Sequence, residues 1–120
     1  MGRRHAGAST AADLGVAGEI AAVMQGLATP SRVRLLGRLS IAPATVTELV
    51  QGLGMEQSAI SHQLRVLREL GLVIGDRDGR HVRYALHDPH VADLLAEAVS
   101  HTEHRRLGVR VHPTRLRRTA

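Results

Sequence analysis

Residues 72–86 read LVIGDRDGRHVRYAL: two strand-forming runs, Leu72-Val73-Ile74 and Val82–Leu86, around a polar stretch containing Asp78-Gly79. Asp-Gly between apolar runs signals a hairpin, because the turn needs a positive φ that glycine adopts without steric cost. Elsewhere the apolar residues recur at helical spacing, so the fold must carry one hairpin on a frame of helices. Tyr84 is the only aromatic residue among 120. The core is therefore built from Leu, Val, Ile and Ala, which suits packed helices better than a β-sandwich.

Residues 1–13 are small and polar and read as a flexible tail. Val16, Ile20, Val23, Met24 and Leu27 mark a first helix from Leu14 to Leu27. Thr29-Pro30 starts a second: Thr caps, and Pro at the first helical position loses no needed donor. It runs to about Ser40, with Val33, Leu35, Leu36 and Leu39 inward, and Ala42-Pro43 ends it. Thr45 or Thr47 opens a short helix that closes at Gly52 or Gly54. Glu56–Leu70 follows, with Ile60, Leu64, Leu67 and Leu70 on one face and Gly71 as its stop. After the hairpin, Asp88-Pro89 starts a last helix that runs to about Leu107. Residues 108–120 form a basic tail without apolar period. The order α-α-α-α-β-β-α is mainly helical with one small hairpin. It describes a winged helix-turn-helix domain over 14–107.

The 16 basic residues are all arginine, against 11 acidic ones, for a formal net charge of +5. Arginine's planar fork suits phosphate and guanine edges, so a polyanion is the expected partner. The scarcity of aromatics argues against single strands held by base stacking. With no cysteine there is no disulfide framework, thiolate metal site or cysteine nucleophile. No apolar run approaches the roughly 20 residues of a membrane span. The first 15 residues lack the apolar segment of a signal peptide, so the cytoplasm is the expected compartment. Neither an H-E-x-x-H helix nor another catalytic pattern is present, and no enzymatic activity is expected.

With Ile60, Leu64 and Leu67 inward, Gln57, Ser58, Ser61, His62 and Arg65 face outward from the first turns of their helix. A helix entering the major groove N-terminus first needs this set: short hydrogen-bonding groups for base edges, then Arg for guanine or phosphate. Arg77, Arg80, His81 and Arg83 decorate the hairpin, where positive side chains reach flanking phosphates or a minor groove. Of these, Arg77, Arg80 and Arg83 are the candidate contacts. The run MEQSAISHQLRVLRELGLVIGDRDGRHVRYAL resembles the recognition helix and wing of the ArsR/SmtB metal-responsive repressors. It is particularly similar to their actinobacterial nickel/cobalt-sensing branch. The resemblance spans roughly Glu19 to His104. It implies a homodimeric repressor whose first and last helices form the dimer interface.

The last helix carries a divided constellation, Asp88 and His90 at its start and His101 and His104 near its end. His101 and His104 are three apart, share a face and can bind one ion together. His90 and His101 lie on nearly the same azimuth but roughly 16 Å apart along the axis, whereas ligands sit about 2 Å from their ion. One straight helix cannot close such a site. An antiparallel copy can, bringing Asp88 and His90 of one chain to His101 and His104 of the other and making two equivalent sites by symmetry. Asp88 before Pro89 also reads as an N-cap, and both roles are open to it. The spacing matches the last-helix metal motif of the family resembled.

Three imidazoles and a carboxylate suit Ni(II), Co(II) or Zn(II) and not thiophilic metals. The thiol site that some members carry before the recognition helix is replaced here by TVTELVQGLG. Four ligands satisfy tetrahedral zinc, whereas octahedral nickel or cobalt needs two more. In the branch resembled these come from the N-terminus, where a histidine directly follows Met-Gly. Here the start is MGRRH, so Gly2 could offer its amine after Met removal, while His5 is displaced by two residues. His112 is a further tail histidine. The expected function is a Ni(II)/Co(II)-responsive regulator of operator DNA. The alternatives are a Zn(II) sensor of the same family, or a DNA-binding subunit that needs a protein co-regulator and does not itself sense metal. Ligand imidazoles must be neutral, so the response weakens as pH falls through about 6.5.

Overall fold

The computed structural model describes residues 14–108. Gly2, His5, His112 and nearly all of both tails lie outside the described residues. In chain order the elements are α1 (Leu14–Gln25), α2 (Pro30–Leu39), β1 (Ala44–Thr45), α3 (Val46–Leu53), α4 (Gln57–Glu69), β2 (Val73–Asp78), β3 (His81–Leu86) and α5 (Pro89–Arg106).

The helix boundaries follow from capping. α1 stops two residues before the expected Leu27 because its end tightens: Gly26, Leu27 and Ala28 each donate to the carbonyl three residues back. Thr29 caps α2, its hydroxyl accepting the Arg32 N–H at 3.3 Å. Thr45, rather than Thr47, opens α3 through a capping box. Its hydroxyl accepts the Glu48 N–H at 3.2 Å, and its own N–H donates to Glu48 Oε1 at 2.9 Å. Gly54, with φ 67°, rather than Gly52, closes α3. α4 ends in a Schellman motif: the Leu72 N–H reaches Leu67 O at 2.9 Å and the Gly71 N–H reaches Arg68 O at 3.0 Å. Gly71 takes φ 76° to permit it.

β2 and β3 form the expected antiparallel hairpin, longer than the apolar pattern implied. The ladder continues from Val73↔Leu86 to Asp78↔His81, so Asp76, Arg77 and Asp78 belong to a strand. The turn is therefore Gly79-Arg80. A positive φ at its first central residue alone (66° at Gly79) is the type II′ pattern. β1 was not expected. Its two residues pair with β3, Ala44 opposite Tyr84 and Thr45 opposite Arg83, giving the sheet order β1-β3-β2.

The core joins Leu35, Leu36 and Leu39 of α2, Ala44, Leu49, Ile60, Leu64 and Leu67 of the helix-turn-helix, and Leu72, Val73, Val91 and Leu95. Tyr84 packs against it half-buried. α5 leaves this core after Leu95: every residue from Ala96 to Gly108 is exposed. On α1, Val23 packs on the core while Ile20 and Met24 are exposed. The first and last helices thus leave apolar side chains partly uncovered by the described residues, Val99 being 51 % exposed.

Candidate nucleic-acid interface and metal centre

The α4 face opposite Ile60, Leu64 and Leu67 is open. Gln57, Ser58, His62 and Arg65 are exposed and Ser61 is half-buried. Ser61 and Arg65 line a groove of about 510 Å³ with Arg68, Glu69 and Tyr84, between the recognition helix and the sheet. A second recess of about 230 Å³ joins Gln57 to Thr45, Thr47, Arg80 and His81. The start of α3, the start of α4 and the wing therefore border one surface, rich in hydroxyl, amide and guanidinium donors. Such a surface can hydrogen-bond base edges and phosphates together.

The wing arginines differ in their surroundings. Arg80 is exposed, as is Arg77, which bends back toward the Gly79 carbonyl at 3.5 Å. Arg83, midway along β3, lies 3.5 Å from Glu48 and 3.4 Å from Asp78. The Thr45 backbone N–H holds the Glu48 carboxyl below its ordinary pKa, and Arg83 adds to the effect.

A polar network beneath α4 escaped the sequence reading. Arg32 Nη2 and Nε donate to Gln25 O at 2.6 and 3.2 Å, closing the end of α1. Arg32 Nη1 donates to Gln63 Oε1 at 3.3 Å, and Gln63 Nε2 donates to Ser31 Oγ at 3.1 Å. Gln63 lies more than 30 positions from Ser31 and Arg32, so no local pattern announces the contact.

At the start of α5 the Asp88 carboxylate is an N-cap, Oδ1 accepting the His90 N–H at 2.8 Å. The same oxygen lies 3.2 Å from His90 Nδ1, and Oδ2 lies 2.9 Å from His87 Nδ1. His87 leads the causes that hold the Asp88 carboxyl below its ordinary pKa, followed by the His90 backbone and ring. Asp88 and His90 are thus together, with His87 beside them, a residue to which the sequence reading gave no role. His101 and His104 stand exposed near the other end of an 18-residue helix. Among the described residues of one chain, no group of three or more His, Asp or Glu side chains is arranged to hold an ion. The donors themselves, imidazole and carboxylate, are those borderline divalent metals take.

Residues 29–74, from the α2 cap to the start of the wing, match the bacterial regulatory protein, arsR family. The chain is 56 % identical over 97 residues to the HTH-type transcriptional regulator NmtR of Mycobacterium tuberculosis, covering 81 % of each sequence. It is 40 % identical to the transcriptional repressor SmtB homolog of Synechocystis, covering 71 % of this chain and 64 % of that one. The solution structure of apo-NmtR superposes with a TM-score of 0.68 at 55 % identity, over 84 % of this chain and 86 % of the other. These relatives are transcriptional regulators, a DNA-binding class and not an enzymatic one. The likeness runs through the helix-turn-helix, the wing and most of the flanking helices, and on that extent the chain belongs to the ArsR family, as a winged helix-turn-helix transcriptional regulator.

Proposed function

We propose that this regulator responds to Ni(II), with Co(II) as a second agonist, through two equivalent sites shared between the subunits of a homodimer. Asp88 and His90 of one chain would meet His101 and His104 of its partner, with Gly2 and His5 as candidates to complete a six-coordinate set. One observation carries the reading: the two halves of a good borderline-metal donor set sit at opposite ends of one helix that leaves the core after Leu95. A single chain cannot bring them together, and an antiparallel copy of α5 can. The exposed Ile20, Met24 and Val99 supply the apolar surface that such a dimer would bury. The resemblance to the nickel/cobalt-sensing branch supports the choice of metal.

The assembly would work on operator DNA in the cytoplasm, as a 14–107 domain flanked by two tails. Gln57, Ser58, Ser61, His62 and Arg65 would read bases, while Arg77 and Arg80 of the wing would hold phosphates or the minor groove and Arg83, paired with Glu48 and Asp78, would set where the wing points. A bound ion would supply a cross-link between subunits, and so bias the spacing of two α4 helices that must meet half-sites about 34 Å apart. A coupling of about 1–3 kcal/mol changes operator affinity roughly 5–150-fold. Zn(II) is the second reading, because Asp88, His90, His101 and His104 alone make a tetrahedral set.

The test is operator binding by the purified full chain with Ni(II), Co(II) and Zn(II) in parallel, repeated on the His101→Ala/His104→Ala variant. The parent should respond most strongly to Ni(II) and the variant should not respond. An unchanged response in the variant removes the inter-subunit site. Equal or stronger response to Zn(II) removes the choice of nickel.

A further inference from the structure

We infer that His87 is a positioning residue for the metal site: it holds the Asp88 carboxylate in its ligating orientation without being a ligand. This rests on the site proposed above and goes beyond its four residues.

An N-cap needs one carboxylate oxygen, and in Asp88 the task falls to Oδ1, 2.8 Å from the His90 N–H. Oδ2 is not needed for the cap, yet it is held 2.9 Å from His87 Nδ1. An ionised carboxylate only accepts, so the imidazole is the donor. With both oxygens tied, the carboxylate cannot turn about its last torsion. Oδ1 stays beside His90 Nδ1 at 3.2 Å, so the two prospective ligand groups of this half-site are already adjacent.

His87 is itself fixed by main chain. Its N–H donates to Leu72 O at 2.9 Å, and the Leu72 N–H donates to Leu67 O of α4 at 2.9 Å. The imidazole is therefore carried on the frame that ends the recognition helix, while its side chain remains half exposed. Hydrogen bonds to ligating groups from outside the coordination sphere typically contribute ten- to hundredfold in metal affinity. A direct ligand role is not inferred: among the described residues His87, Asp88 and His90 do not form a three-donor group able to hold an ion, and His87 Nδ1 is taken up by Asp88.

The experiment uses the full-length dimer and Ni(II) in competition with a chromophoric chelator, on the parent, His87→Ala, His87→Asn and Asp88→Asn. Asparagine places an amide N–H near where Nδ1 stands. Asp88→Asn keeps a good N-cap and removes the carboxylate. His87→Ala should weaken Ni(II) binding about ten- to hundredfold. Its denaturation midpoint and its Co(II) ligand-field bands should stay parental. His87→Asn should recover most of the affinity, and Asp88→Asn should lose at least as much as His87→Ala. Parental affinity in His87→Ala beside a loss in Asp88→Asn overturns this inference and leaves the proposed site standing. Altered Co(II) bands in His87→Ala overturn it by making His87 a ligand. Parental affinity in Asp88→Asn overturns both.

Discussion

Arg83 Nη1 on β3 lies 3.5 Å from Glu48 Oε1 on α3, and the same guanidinium reaches Asp78 at 3.4 Å. The wing is thereby tied midway along β3 to the first helix of the helix-turn-helix, while Arg77 and Arg80 remain exposed toward its tip. A half-exposed pair of this kind adds little to stability, and its effect is on where the wing points.

The three wing arginines should therefore separate in salt dependence. Arg77→Ala and Arg80→Ala should each reduce the slope of log affinity against log salt by about 0.9 on duplex DNA, the value for one phosphate contact. Arg83→Ala should leave the slope near the parental one, because its charge is already matched by two carboxylates. Fluorescence anisotropy over a salt series measures this. A drop for Arg83→Ala equal to that for Arg80→Ala would mean that the pair opens on DNA.

Glu48 gives a stability signature in acid. Its folded carboxyl is held below the ordinary value of 4.5, first by the Thr45 N–H and then by Arg83. Its contribution is present above that value and disappears as pH falls through the lower folded pKa. The urea midpoints of the parent and Glu48→Ala should differ near neutrality and converge as pH falls below 4.5 and through the lower folded pKa. Thr45→Ala, which removes the reciprocal half of the capping box, should cost about 0.5–2 kcal/mol near neutrality.

Core and close-contact positions should respond in opposite senses of volume. Leu64 is 1 % exposed, and Leu64→Ala should cost about 2–5 kcal/mol by leaving a cavity. Gly26 lies against Leu72, and an added Cβ would overlap Leu72 Cδ1. Gly26→Ala should cost about 1–3 kcal/mol through overpacking. Equilibrium denaturation measures both, and a neutral Gly26→Ala would show that Leu72 changes rotamer freely.

Subunit association should depend on the apolar residues that the chain leaves bare. Met24→Asp and Val99→Asp should shift sedimentation toward the monomer and lose the metal response together. A variant that stays dimeric by sedimentation would put the interface elsewhere.

Much of this was legible along the chain because the controlling signals are local. Thr29-Pro30, Asp88-Pro89 and Gly71 mark helix ends through capping chemistry, and Ile60, Leu64 and Leu67 declare the inward face of α4 by period alone. What stayed hidden depends on distant partners. β1 is two residues long, too short for alternation, and exists only because β3 pairs with it. The β2 ladder runs through Asp76–Asp78 because main-chain bonds are indifferent to side-chain polarity. The proposed metal half-sites were visible as residue types at helical spacing, whereas the tie from His87 to Asp88 needed the turn between β3 and α5.

Arg32 donates twice to the last carbonyl of α1 and once to Gln63 of α4. One side chain thus ties three helices, and bending α1 away from α2 would break both bonds to the Gln25 carbonyl. Adjustment between two copies is then cheapest as a turning of whole subunits against each other. In the proposed dimer the distance between two reading heads would then be a property of the seam, with each half keeping its internal shape.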